Sequence, residues 1–599
     1  MQVLRRLYDY GQQLIEKGIL GSYEWTLSPI PFGLEIGFDG KLKRVVDLRV
    51  EVERGPRKFL EPPMMCIPYR DKHSNGIDPF FLVDNLGYIT GAVDAETSTE
   101  RAKNPYEENQ KKVNAFAKLH HEILSGVTTP KATALLKFLD ECTEERYRKS
   151  DDPFYDVFRP YWKEIVKASN IALMFEDGTF AFEDDTLAHC WNEYYHKIIA
   201  EENGNFYGEC LVTGEKNALI ARKHPAICGV QGAQTTGTGL VTSNLPSANW
   251  MEYDLNAYSS PVSVKAANIY REALKYLLLD PHHHVYLSDS NEHVIYWAES
   301  ESSDASEVVA SMTATGVYKY PSAADKKLFY AIIDAVKGYQ STVMLSDTAI
   351  DLSKKVCMLK IAPRGPRLII TDYQESPMLD IFKNVSDFLD TAKIQTKEDE
   401  TYMPTYRDMS DAITPPSGKE PHNFSNELTA AVINRQLINP NTGSLLVQRI
   451  EADGIVDANR AALARCVLNN TAYSKGDLLV APSQLDKDLH NTAYQFGRLF
   501  YYLETLQKKA IDGLVGGNRK ILFSTAMKTP LKAYQMMWKK AQYHLKKISR
   551  DSGLDKWFIR QFMDIQLIMG QLPVTFNVTQ RLWFVLGYYQ QSVTKFEKN

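Results

Sequence analysis

Four glycines, at 229, 232, 237 and 239, fall within eleven residues, and between them lie Gln231, Gln234, Thr235, Thr236 and Thr238. Glycine lets a backbone amide come close to another backbone or to a ligand. The amide and hydroxyl side chains donate and accept hydrogen bonds without carrying charge. Arg222, Lys223 and His224 stand just before the run, and Asn244 closes it. Cations for phosphates, with glycines and amides for base edges, are what groove reading of duplex DNA requires. The same composition fits a long loop packed on its own domain, and the residues alone leave both open. Nucleotide hydrolysis fits less well, because the run lacks the Lys-Ser/Thr with which a phosphate-binding loop reaches the β/γ-phosphates and magnesium.

Two other stretches carry local positive charge. The loop 62–79 holds Arg70, Lys72, His73 and Asn75 beside Gly76, as a solvated connection or as a nucleic-acid contact. Residues 528–560 hold Lys528, Lys532, Lys539, Lys540, Lys546, Lys547, Arg550, Lys556 and Arg560 against Asp551 and Asp555. Tyr534, Trp538 and Tyr543 are interleaved with them, which suits a surface that tracks a displaced single strand. Trp538 lies on the apolar stripe and reads as core.

Catalytic sets are not found. His282, His283 and His284 could ligate metal, but adjacent imidazoles on an extended chain point to different sides, and a solvated turn after Asp280-Pro281 is expected. There is no HExxH, His-Asp doublet or GxSxG, so zincin, HD-nuclease and α/β-hydrolase chemistry lack their residues. The carboxylates form no spaced pair suited to general acid and base work. The seven cysteines contain no CxxC pair for zinc. No catalytic residue, metal or cofactor is therefore expected. A nuclease with an unrecognised site and a structural scaffold without DNA readout are the alternatives.

Net charge is −5 and pI about 6.3, so any nucleic-acid surface must be a local patch. The chain is 44% hydrophobic and 24% charged, the balance of a globular protein with substantial cores. Its 599 residues suggest roughly two to four domains. Sparse cysteines, no signal-peptide pattern and no apolar run of about 18 residues predict a soluble, cytoplasmic protein with no membrane partner.

These residues need elements to hold them. Leu4, Leu7, Tyr8, Gly11, Leu14 and Ile15 mark one face of an N-terminal helix. Phe32, Leu34, Ile36 and Phe38 alternate, and Asp39-Gly40 predicts a hairpin turn. A second hairpin is predicted around Asp177-Gly178. Helical periodicity runs over about 105–150 and 185–202, with further helices near Val264–Leu279 and 324–340. Extended runs at 356–361 and 367–372 join through Pro363-Arg364-Gly365-Pro366, leaving Arg364 and Arg367 at the tip. The polar stretch 396–425 reads as a linker. Beyond it, 494–507 and 531–548 follow the 3.6-residue period, the latter with lysines opposite its apolar stripe. The fold class is α+β: a mixed α/β N-terminal part with hairpins and inserted helices over 1–395, then an all-helical C-terminal bundle over 426–599.

The glycine-rich stretch resembles the large subunit of type I-C CRISPR surveillance complexes. The resemblance rests on Cys210-Leu-Val-Thr-Gly214, His224-Pro-Ala-Ile227, Gly229-Val-Gln-Gly-Ala-Gln234 and the loop 237–244 ending in Asn. Ser243 stands where that family places an aromatic residue. Further matches follow in order: Leu7-Tyr-Asp-Tyr10, Phe81-Leu-Val-Asp-Asn-Leu-Gly-Tyr-Ile-Thr-Gly91, Arg449-Ile-Glu-Ala452, Asn459-Arg-Ala-Ala-Leu463, Tyr494-Gln-Phe-Gly-Arg-Leu-Phe500 and Phe584-Val-Leu-Gly-Tyr-Tyr-Gln590.

The resemblance implies a non-catalytic subunit beside the 5′ handle of a CRISPR RNA. Guide pairing would read the protospacer while the protein reads a short adjacent motif in duplex DNA and helps open the strands. Implied partners are the RNA, the target duplex and its displaced single strand, RNA-binding backbone subunits, helical small subunits, and a helicase-nuclease recruited after R-loop formation. A small-subunit-like bundle would occupy about 485–599, and its separate production would need an internal start near Val480.

Overall fold

A computed structural model describes residues 2–54, 57–69, 76–92, 105–144, 153–234, 237–242, 257–280, 283–287, 290–298, 331–338, 342–345, 348–397, 400–416, 418, 424–511, 517–548 and 553–594. The chain divides into two units, Met1–Asp280 with Ile361–Thr371, and Pro281–Lys360 with Asp372–Asn599. Strands and helices mix in the first part and helices take over towards the C-terminus, giving the α+β class.

In the first unit a four-stranded sheet runs in the order Leu42–Asp47, Phe32–Ile36, Ile171–Phe175, Val83–Asp84, with the central pair parallel. Both central strands are buried along their whole length, which is why the second reads as a continuous apolar run. The predicted turn at Asp39-Gly40 forms, with Gly40 at φ 81° and the Gly37 N–H donating to Lys41 O at 2.9 Å. The hairpin predicted around Asp177-Gly178 forms only in part. The Phe175 N–H donates to Thr179 O at 2.9 Å, but a single bridge, Met174 to Phe180, continues the pairing. The Glu183 carboxylate then accepts the Phe180 N–H at 3.3 Å and a 3₁₀ turn over Ala181–Glu183 ends the strand.

The helices Pro105–Ile123, Pro130–Thr143 and Asp185–Glu202 bring Phe116, Phe138 and Trp191 into the core formed with this sheet. The predicted single helical stretch breaks at Gly126, φ 80°, and restarts at Pro130, where Thr129 Oγ1 caps the Ala132 N–H. At the N-terminus the helix Gln2–Glu16 buries Leu4, Leu7, Tyr10, Gly11 and Leu14. Tyr10 takes the place expected for Tyr8, because three-residue steps from Leu4 and Leu7 land on it. The helix Val264–Leu279 packs on that face, and a Cβ at Gly11 would lie 2.6 Å from Ile269 Cγ2.

His120 holds a strained corner of this core. Leu82 is buried at φ 62°, a conformation that costs a non-glycine residue energy. Its N–H donates to His120 Nε2 at 2.9 Å, and His120 Nδ1 donates to Phe116 O at 2.7 Å. Only the neutral ring can serve both contacts. Burial pushes its pKa down to about 4.

The second unit opens with the strands His284–Leu287 and Glu292–Ala298, followed in the sheet by Lys355–Arg364 and Arg367–Pro377. The last two extend the predicted runs and turn at Gly365, φ 60°. The predicted helix at 324–340 is seen over its described part, 331–337. Within 396–425 lie the strand Thr401–Tyr402, paired with Ile394–Gln395, and the helix Tyr406–Ile413, capped by Thr405 and Asp408. Described residues from there onward are helices and their connections.

The central contact of this part is between the helices Thr492–Ala510 and Val578–Val593. A Cβ on Gly497 would collide with the carbonyl oxygen of Phe584, and one on Gly587 with that of Tyr494. Each helix thus lends a glycine to the other's backbone. Tyr494 Oη donates to Gln590 Oε1 (2.5 Å), Arg498 Nε to Gln591 Oε1 (3.0 Å) and Tyr588 Oη to Glu504 Oε2 (2.7 Å), all in buried surroundings.

Two outcomes follow for stability. Gly497→Ala raises helix propensity but forces the two helices apart, so equilibrium denaturation should show a loss of about 3 kcal/mol; a gain would refute the close approach. His120 and His224, both held near pKa 4 by burial, take up protons in the unfolded chain before the folded one. Their contribution is complete above about pH 6.5 and is lost as pH falls towards 4, by on the order of 3 kcal/mol each. Urea denaturation between pH 7 and 4.5 should show this decline, and a flat profile would count against both burials.

Candidate nucleic-acid interface

The glycine-rich stretch is tied at several points of the first unit. Cys210 is buried, its Sγ accepts the Ser263 N–H at 3.2 Å, and the Ala221 N–H donates to Val262 O at 2.9 Å. Ile227 and Thr238 form an antiparallel bridge with N–H···O distances of 2.8 and 2.9 Å. This bridge closes a loop in which Gly229, Gly232 and Gly237 have φ of 80°, 76° and 100°, values that favour glycine. Gln231 and Gln234 are exposed on it. Thr238 is 1% exposed and its hydroxyl donates to Ile227 O at 3.3 Å. Its side chain therefore holds the foot of the loop and does not reach outward as the sequence reading expected.

The tip of the 355–377 hairpin, in the segment Ile361–Thr371 that belongs to the first unit, meets this loop. Gly239 N–H donates to Pro366 O and Leu368 N–H to Gly239 O, both at 2.9 Å, in a parallel bridge. Arg367 Nε donates to Thr242 Oγ1 at 3.1 Å, and Arg364 is exposed beside it in sequence. The sequence marked both arginines as tip residues but gave no sign that Arg367 adjoins Gly239, since the two are more than a hundred positions apart.

A cleft of about 680 Å³ lies next to the same stretch, lined by Arg222, Lys223 and His224 together with Tyr69 and Asp78. Tyr69 and Asp78 lie within the predicted loop 62–79, on either side of its basic residues, so parts of two separately predicted DNA-facing segments converge here. Arg222 and Lys223 are exposed. The backbone holds Arg222 in place, its N–H on Asn203 Oδ1 at 2.7 Å and its carbonyl accepting the Ala257 N–H at 2.8 Å. Deeper, the buried Arg271 guanidinium lies 4.5 Å over the Tyr69 ring and 2.5 Å from Glu272. Glu272 also accepts from Thr26 Oγ1 (2.7 Å) and Leu27 N (2.8 Å). Lys275 bonds the Leu27 carbonyl, and burial lowers its pKa. Arg271 was not foreseen, because a cation inside an apolar helix pattern gives no hint of which face it takes.

In the second unit, the helix Pro530–Ile548 buries Pro530, Ala533, Met537 and Ala541. Lys532, Lys539, Lys540, Lys546 and Lys547 are exposed, and Tyr543 among them is 71% exposed. The helix contains no Asp or Glu. His544 registers the resulting field: its pKa is lowered by burial and then by Lys540 and Lys547. Lys528 is paired with Glu451 at 2.8 Å. Trp538 stacks on Tyr534 at 5.6 Å and packs against the core, as the stripe predicted.

Arg70, Lys72, Asn75, Thr235, Thr236, Asn244 and Arg550 lie outside the described residues, as does His282. The expected solvated histidine turn needs correction at its other two members. His283 is buried with Nδ1 2.8 Å from Tyr296 O, and His284 starts a strand with Nε2 2.7 Å from His293 Nδ1. Among the described residues no group of three or more His, Cys, Asp or Glu is placed to hold a metal ion, and no helix is long and apolar enough to cross a membrane.

No curated protein matches the chain. The family pattern described as CRISPR-associated protein (Cas_Csd1) matches residues 7–596, a span that includes the glycine-rich loop, the cleft and the lysine-bearing helix. The chain belongs to this family of CRISPR-associated proteins.

Proposed function

We propose that the chain is the non-catalytic large subunit of a type I-C CRISPR RNA-guided complex, reading a short motif in duplex DNA beside the protospacer. The observation that carries this reading is the loop closed by Ile227 and Thr238, which exposes Gln231 and Gln234 a few residues along the chain from the exposed cations Arg222 and Lys223. Uncharged amides suit base edges and the cations suit phosphates. The acid-free face of the helix Pro530–Ile548 supports a second role, holding the strand displaced when guide RNA pairs with target, with Tyr543 exposed for a base to stack upon. In this reading the protein works with CRISPR RNA, RNA-binding backbone subunits and helical small subunits. It stabilises the R-loop and offers a docking surface to a separate helicase-nuclease, which cuts.

Replacing Gln231 and Gln234 together by Ala should weaken motif-dependent duplex binding by about 1–3 kcal/mol per lost base contact. Binding measured across duplexes with varied flanking sequence checks this, and an unchanged motif preference would favour a scaffold that does not read DNA.

Lys539→Ala with Lys540→Ala should lower the salt slope for single-strand binding by about 1.4, at roughly 0.7 per phosphate contact. Titrations at several salt concentrations decide it; an unchanged slope makes these lysines a solvated face.

A further inference from the structure

The cleft beside residues 222–226 carries an uneven set of charges. Arg222 and Lys223 are exposed along it, yet Asp78 and Glu202 line it too. A small free anion would meet both carboxylates. A nucleotide spreads its chemistry differently, with a charged phosphodiester at one end and a neutral base at the other. Exocyclic amino groups on the base suit carboxylate acceptors. A volume of about 680 Å³ falls in the range of pockets that enclose small molecules.

His224 supplies the inner group. It is 9% exposed, and its Nδ1 lies 2.6 Å from the hydroxyl of the fully buried Tyr270. That buried hydroxyl must place its hydrogen on an acceptor, and Nδ1 is the one the described residues give it. The ring proton is then on Nε2, which has no partner among the described residues. Burial holds the ring neutral at ordinary pH. A buried N–H is thus left without an acceptor among the described residues. Ring nitrogens and carbonyls of bases are acceptors of this kind.

We infer that this cleft seats one unpaired nucleotide of a nucleic-acid strand, its base inward against His224 and its phosphodiester outward on Arg222 and Lys223. The inference rests on the reading that the first unit binds nucleic acid, and adds that it takes one base out of the stack. DNA and RNA share the chemistry the cleft recognises.

The test uses the full chain with six-nucleotide single strands, in DNA and RNA form, each position in turn replaced by an abasic nucleotide. Loss of the seated base should weaken binding by about tenfold at one position, the worth of a hydrogen bond to a buried donor, with the others changing less than about twofold. The form that shows the penalty names the strand. His224→Phe keeps the ring volume and removes the donor, and should abolish the penalty at that position without changing the salt slope. A flat abasic profile overturns the inference, as does a penalty that survives in His224→Phe. If that variant does not fold, the abasic scan on the unaltered chain decides alone. A flat profile alongside motif-dependent duplex binding removes the cleft and leaves the proposed function standing. A seated base without motif-dependent binding does the reverse.

Discussion

Two helices touch backbone to backbone at Gly497 and Gly587, and the second unit is arranged around that contact. At this separation neither position tolerates a Cβ, so side chains on either side of the crossing must interlock in one register. The buried bonds of Tyr494 to Gln590, Arg498 to Gln591 and Tyr588 to Glu504 do so. Buried polar groups of this kind are costly when unmatched, which makes alternative registers unfavourable. The helix Pro530–Ile548 packs on Thr492–Ala510 and takes its orientation from it. The direction in which its lysines face is therefore set by two glycines on other helices.

This contact also explains what the family motifs are. Tyr494–Phe500 and Phe584–Gln590 were among the stretches carrying the resemblance, and they turn out to be opposite sides of one crossing. Their glycines, tyrosines and glutamines are demanded by packing, with no ligand needed to account for them. The glycine-rich stretch is different, because its glutamines are exposed while its bridge, its buried cysteine and Thr238 hold it in place.

Elements governed by local chemistry could be read from sequence. The helix Val264–Leu279, the turn at Asp39-Gly40 and the hairpin through Gly365 follow from periodicity and turn residues. Contacts between distant segments could not. Nothing near Arg367 indicates Gly239, nothing near His224 indicates Tyr270, and the pattern around Arg271 does not say that its guanidinium lies over Tyr69. Thr238 shows a subtler limit: a hydroxyl between glycines suits a ligand or a loop base equally, and only burial distinguishes them. The lysine-bearing helix, by contrast, was legible despite the chain's net negative charge, because its period and its lack of carboxylates are both local properties of 531–548.

That helix has one more property. With no Asp or Glu it gains nothing from ion pairs along its own length, and its exposed lysines repel one another across neighbouring turns. A bound polyanion would relieve the repulsion, so occupancy and folding stability become linked quantities. A strand held there, as proposed, would then also tighten the bundle. On the proposed function, the protein without nucleic acid should, by the same reciprocity, carry a looser C-terminal part than the protein with it bound.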